Sequence, residues 1–239
     1  MTHPVAVPPW PELAWLSIVL TVAVAIASCP LPAQAMGGHF DADDALVLEP
    51  GRCQVELWAI AAPAAHSHAQ HLGPACRVGP VELGLAVDRL VDNTGQGSSS
   101  TRVAAVQLKW VTSSLLPQLS VGLAASIARD STPGTATARS LYAALTWFAS
   151  DAWQWHVNVG RDRDGKSEQF NRAALAAEWA ASDHFTLLAE VLRLGGARNR
   201  RIGLRIGLAE FTSIDMSAMH TSSDGKRRWG LGLNHEFGR

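Results

Sequence analysis

The chain has 239 residues, a formal charge of −1 and 17% charged residues, against about 25% in typical soluble domains. That length admits one large or two small domains. Near-neutrality gives no reason to expect nucleic acid or an anionic surface as partner, and there is no basic patch interleaved with aromatics such as single-strand binders use.

The first 35 residues contain neither Lys nor Arg. Within them, residues 13–27 (LAWLSIVLTVAVAIA) form an uncharged run of about fifteen, short for a spanning helix of about 20 and suited to the core of a signal peptide. Pro30 and Pro32 break any helix there, and Ala33-Gln34-Ala35 fits a small-x-small cleavage site. This predicts a signal peptide over 1–35 and a mature start at Met36. Ile26-Ala27-Ser28-Cys29 resembles a lipoprotein box, and the alternative it opens is lipidation of Cys29. Residues 36–51 (MGGHFDADDALVLEPG) read as a short acidic lead, expected on the periplasmic side and ended by Pro50-Gly51.

From Arg52 the pattern changes to period-two alternation. Val81, Leu83, Leu85 and Val87 oppose Glu82, Gly84, Ala86 and Asp88. Leu119, Val121, Leu123, Ala125 and Ile127 oppose Ser120, Gly122, Ala124 and Ser126. Trp153, Trp155, Val157 and Val159 oppose Gln154, His156, Asn158 and Gly160, and Ile202, Leu204, Ile206 and Leu208 oppose Arg201, Gly203, Arg205 and Gly207. In the last segment Trp229, Leu231, Leu233, His235 and Phe237 oppose Arg228, Gly230, Gly232, Asn234 and Glu236. Phasing is poor only in LLAEVLRL (187–194) and weak around 72–78. Long polar connections such as VDNTGQGSSST alternate with short ones such as Gly79-Pro80, the mark of an up-and-down antiparallel meander of about twelve strands. Cys53 and Cys76 lie symmetrically about a hairpin tip near Ala64–Ala65, which predicts a disulfide across the ladder of an exported protein; two unpaired thiols are the alternative.

Alternating strands suit either a soluble barrel or sandwich with an apolar core, or a membrane barrel with an apolar outside. Three features favour the membrane barrel. Trp110, Trp147, Trp153, Trp179, Phe185 and Phe237 gather at the short-turn end, as an interfacial girdle does. Charges keep to the small-residue phase, as they must when an Arg or Lys on the lipid face costs about 2–4 kcal/mol at the midplane. The segments have the length of a tilted strand crossing hydrocarbon, and an even strand count closes an antiparallel barrel without edges. On these residues, 52–237 resembles the Gram-negative outer-membrane β-barrels, porin-like in architecture and without a fingerprint motif. The resemblance implies an all-β, up-and-down antiparallel transmembrane barrel in the outer membrane, exported by its signal peptide and surrounded by lipid. A last strand ending in an aromatic resembles the signal such barrels present to the barrel-assembly machinery, although Gly238 and Arg239 follow Phe237 here.

With that phasing, Glu82, Asp88, Lys109, His156, Arg172, Glu178, Glu190, Arg205 and Glu236 line the lumen. Their signs are mixed, without the single-sign ring expected of a strongly selective pore. His66, His68 and His71 in HSHAQH form a candidate metal site, to which His39, Asp41, Asp43 and Asp44 could add ligands; a solvated loop is the plainer reading. His220 and Ser222 have a spacing like that of lipid-modifying barrel enzymes but no flanking motif, so no catalytic residue is assigned, and no cofactor is called for. The leading expectation is a small porin-like channel for small polar solutes or ions. A structural or binding barrel acting through its loops comes next, then a lipid-modifying enzyme.

Overall fold

A computed structural model of the chain describes residues 40–238, apart from 95–96, 133, 136 and 167. Twelve strands form one closed antiparallel barrel. They are β1 (Arg52–Ala62), β2 (Ser67–Val78), β3 (Val81–Thr94), β4 (Gly97–Leu116), β5 (Leu119–Asp130), β6 (Ala138–Ser150), β7 (Trp153–Arg163), β8 (Gln169–Ala180), β9 (Phe185–Leu194), β10 (Ala197–Ala209), β11 (Thr212–Thr221) and β12 (Arg227–Gly238). A single turn of 3-10 helix, Pro63–Ala65, joins β1 to β2. Each strand pairs with its sequence neighbours, and β1 closes on β12, with Cys53 opposite Phe237 and Ala61 opposite Trp229. Among the described residues no strand edge is left open, as lipid requires.

The alternation sorts side chains as the sequence predicts. Leu85, Leu141, Leu175, Ile202 and Leu231 keep 49–66% of their surface exposed on the outside. An apolar belt of this extent around a whole molecule has no soluble counterpart and marks a lipid-facing surface. The residues between them, such as Ala124, Ala144, His156 and Asn158, are buried within the barrel. At the short-turn end Trp153 stacks beside Trp155 and Trp179, with ring centroids 6.3 and 5.8 Å apart. His235 and Phe237 stack at 6.1 Å on the last strand, so His235 belongs to this girdle, where Thr212 shares a hydrogen bond with it (2.9 Å).

Cys53 and Cys76 stand opposite each other in the β1–β2 ladder and form the predicted disulfide. The segment VDNTGQGSSST differs from the expected long loop. β3 and β4 stay paired out to Thr94 and Gly97, so this hairpin projects as ladder beyond its neighbours. Its Asn, Thr and Ser side chains suit a strand pair standing in water as well as they suit a loop.

Candidate functional site: a lumen occupied by its own acidic lead

The described part of the acidic lead, residues 40–51, runs inside the barrel. From Gly51, at the short-turn end beside β1, the described residues pass up the lumen to Phe40 near mid-height. The lead joins no strand. Side chains of the wall satisfy its backbone instead, as buried amides and carbonyls require. Glu190 accepts from the Asp41 and Ala42 amides (3.0 and 2.9 Å). Asn158 grips Asp43 on both sides, accepting from its amide and donating to its carbonyl, each at 2.7 Å. The Ala45 amide donates to Thr146 Oγ1 (2.7 Å), which also shares a hydrogen bond with His156 Nδ1 (2.9 Å). The Leu48 amide donates to Glu82 Oε2 (3.0 Å), and its carbonyl accepts from Arg77 Nη1 (2.9 Å).

The lead's carboxylates are held as firmly. Lys109 Nζ donates to Asp43 Oδ1 (2.8 Å) and Asp44 Oδ1 (2.7 Å), and Tyr142 donates to Asp43 Oδ2 (2.9 Å). Arg201 bridges Asp41 Oδ2 (3.0 Å) and Glu190 Oε1 (3.1 Å). Arg172 donates to the Asp41 carbonyl (2.5 Å). Charge-assisted bonds in a site shielded from water are the stronger kind. Apolar contact completes the seat: Phe40 and Ala42 pack on Ala174, Ala176, Leu188 and Leu192. The Phe40 ring also lies over Gly203, where a Cβ would come within 2.5 Å of Cζ; only glycine leaves room for it.

This explains the poor phasing of 187–194. Leu188 and Leu192 lie in the lumen phase of β9 and are 4% and 3% exposed, because they receive the lead rather than water. Of the predicted lumen residues, Glu82, Lys109, Arg172 and Glu190 all touch the lead. His156 and Glu178 are buried behind it, with His156 Nε2 3.6 Å from Glu178 Oε1. Arg205 is held two-pronged by Asp215 (2.7 and 3.3 Å), which Asn234 also reaches (2.7 Å). Asp88 pairs with His71 (2.6 Å), and Glu236 is half-buried near the short-turn end. Arg201, Asp215, Tyr142, Asn158 and Thr146 complete the network and were not singled out as a site from sequence, since nothing local marks a lumen residue as one that grips a distant segment.

The three histidines do not converge. His71 lies in the lumen phase, over Gly73, with its ring flat against Trp58 (centroids 4.6 Å, 3° between planes). His68, three residues back on the same strand, points to the other face. His66 takes a left-handed backbone (φ 50°) to close the turn, its amide donating to the Pro63 carbonyl (3.1 Å). Among the described residues no group of three metal-capable side chains gathers. Asp41, Asp43 and Asp44 are engaged by wall cations, and His39 lies outside the described residues. At the far end of β11, Ser222 Oγ accepts from the Arg198 amide (2.9 Å), a hairpin closure that engages the hydroxyl.

Beside the lead an open cavity of about 340 Å³ remains. Its lining reaches from Gln54 and Glu82 near the short-turn end, past Trp58 and Gln107, to Ser140 and Asp162 near the long-loop end. It therefore follows the barrel axis, bounded by β1–β5 along its length and by β6, β7 and β8 toward the long-loop end.

An apolar exterior, an aromatic girdle and a polar-walled lumen define a membrane-spanning β-barrel. Solved structures share the fold. The KdgM porin superposes with a TM-score of 0.64 at 11% identity, over 77% of this chain and 99% of that one. The COG4313 outer membrane channel from Pseudomonas putida F1 gives 0.62 at 12% identity, over 83% and 100%, and the NanC porin 0.57 at 11%, over 77% and 98%. The chain belongs to the family described as uncharacterised conserved protein UCP029691, which matches residues 23–237. No curated protein matches it.

Proposed function

We propose that the protein is a porin-like channel of the Gram-negative outer membrane, passing small polar solutes or ions passively, with no catalytic step. The observation that carries this reading is the axial cavity: a water-accessible, polar-lined space running along a barrel whose outside is apolar. Twelve strands sit between the filled eight-stranded barrels and the wide porins of sixteen or more, and the lead narrows the lumen further. Export by the signal peptide and hand-over to the barrel-assembly machinery through the β12 terminus belong to the same reading. The test is insertion of the purified, refolded protein into planar bilayers. Discrete conductance steps are expected, small ones given the lead. A barrel that is folded and inserted, as its heat-modifiable gel migration would report, yet never conducts would overturn the proposal.

A further inference from the structure

The wall alone carries mixed signs, which argues against strong selectivity; the lead changes that balance. The carboxylates on the cavity lining are Asp41, Asp43, Glu56, Glu82 and Asp162. The cations on it are Lys109 and Arg172, and both are already engaged. Lys109 is clamped between Asp43 and Asp44. Arg172 is shared between Asp162 (3.4 Å) and the Asp41 carbonyl. Asp41, Asp43 and Asp162 are themselves paired, with Arg201, Lys109 and Arg172, so what a solute in the cavity meets is the net balance of the lining, five carboxylates against two Lys or Arg side chains. Two of those carboxylates come from the lead. In a narrow lumen with low-dielectric walls, an excess of one sign concentrates the opposite ion.

We infer that the channel prefers cations, and that Asp41 and Asp43 of the lead, rather than a ring on the wall, set this preference. The inference rests on the channel reading above. In planar bilayers under a potassium chloride gradient, the reversal potential of the full-length protein should show potassium favoured over chloride by about threefold or more. The double variant Asp41→Asn with Asp43→Asn should bring the ratio close to unity. Glu56→Gln, which leaves the lead's carboxylates in place, should lower it part of the way. Heat-modifiable migration confirms that each variant folds, and the single variants Asp41→Asn and Asp43→Asn, each expected to lower the ratio part of the way, provide the reading if the double variant does not fold. A conducting wild-type barrel with no cation preference overturns the inference and leaves the channel standing. So does a double variant that conducts more but keeps the wild-type ratio, since the lead would then act by bulk alone. A folded barrel that never conducts removes the channel reading and this inference with it.

Discussion

Strands β6–β10 and strands β1–β5 enclose the same lumen and treat it differently. The first half is dry where it meets the lead, and only toward the long-loop end do Ser140, Tyr142, Asp162 and Arg172 border the cavity. Ala174, Ala176, Leu188 and Leu192 meet Phe40 and Ala42 of the lead, while Asn158, Thr146, Glu190 and Arg201 take up its polar atoms. The second half faces the cavity with Gln54, Glu56, Gln107 and Ser126 and is joined near the short-turn end by the Cys53–Cys76 bond. One wall behaves as a protein core that happens to lie inside a barrel, and the other as a wetted surface. Equal-looking substitutions should therefore act very differently on the two.

The largest effect should come from Arg201→Leu. Arg201 is 3% exposed and balances both Asp41 and Glu190. Removing one partner of a buried ionic group leaves uncompensated charge, and a loss of about 3–5 kcal/mol in denaturant unfolding of the refolded barrel is expected. Next comes reduction of the covalent link on the opposite half. The Cys53→Ser, Cys76→Ser double variant opens a loop with a sequence separation of 23 and should lower stability by about 3 kcal/mol in the same assay. Ala176→Leu tests the dry wall by volume. Overpacking of that sort costs about 1–3 kcal/mol, and because the lead is the movable partner, conductance should rise as stability falls. Gln107→Leu on the open wall should give the smallest change, within about 0.5 kcal/mol, because its side chain faces water rather than a packed neighbour. If Gln107→Leu and Ala176→Leu proved equally harmful, the contrast between the halves would be lost.

The outer face was legible in the sequence because lipid imposes its rule at every second residue of every strand, so each segment repeats the same message. The Cys53–Cys76 pairing was legible for a similar reason: hairpin symmetry is local. The interior was not. Asp41, Asp43 and Asp44 look like any soluble acidic leader, and their partners Lys109, Tyr142 and Arg201 lie 65 to 160 residues further on. One clue was present. Leu188 and Leu192 break the alternation of β9, and two apolar side chains pointing into a water-filled lumen need an apolar partner there. The histidines misled for the opposite reason. Proximity in HSHAQH suggested a cluster, but strand pleat separates His68 from His71 and sends them to different faces.

The β1–β12 seam has a consequence for biogenesis. The first strand waits for the last, so the ring cannot be completed until the whole polypeptide is present, and long-range pairing of this kind is slow to form. Because the acidic segment is continuous with β1, it must either lie within the curling sheet when the seam zips or be drawn in afterwards through an open mouth. Assembly of this protein thus couples two events, circularisation of the sheet and lodging of its own tail-like N-terminal stretch.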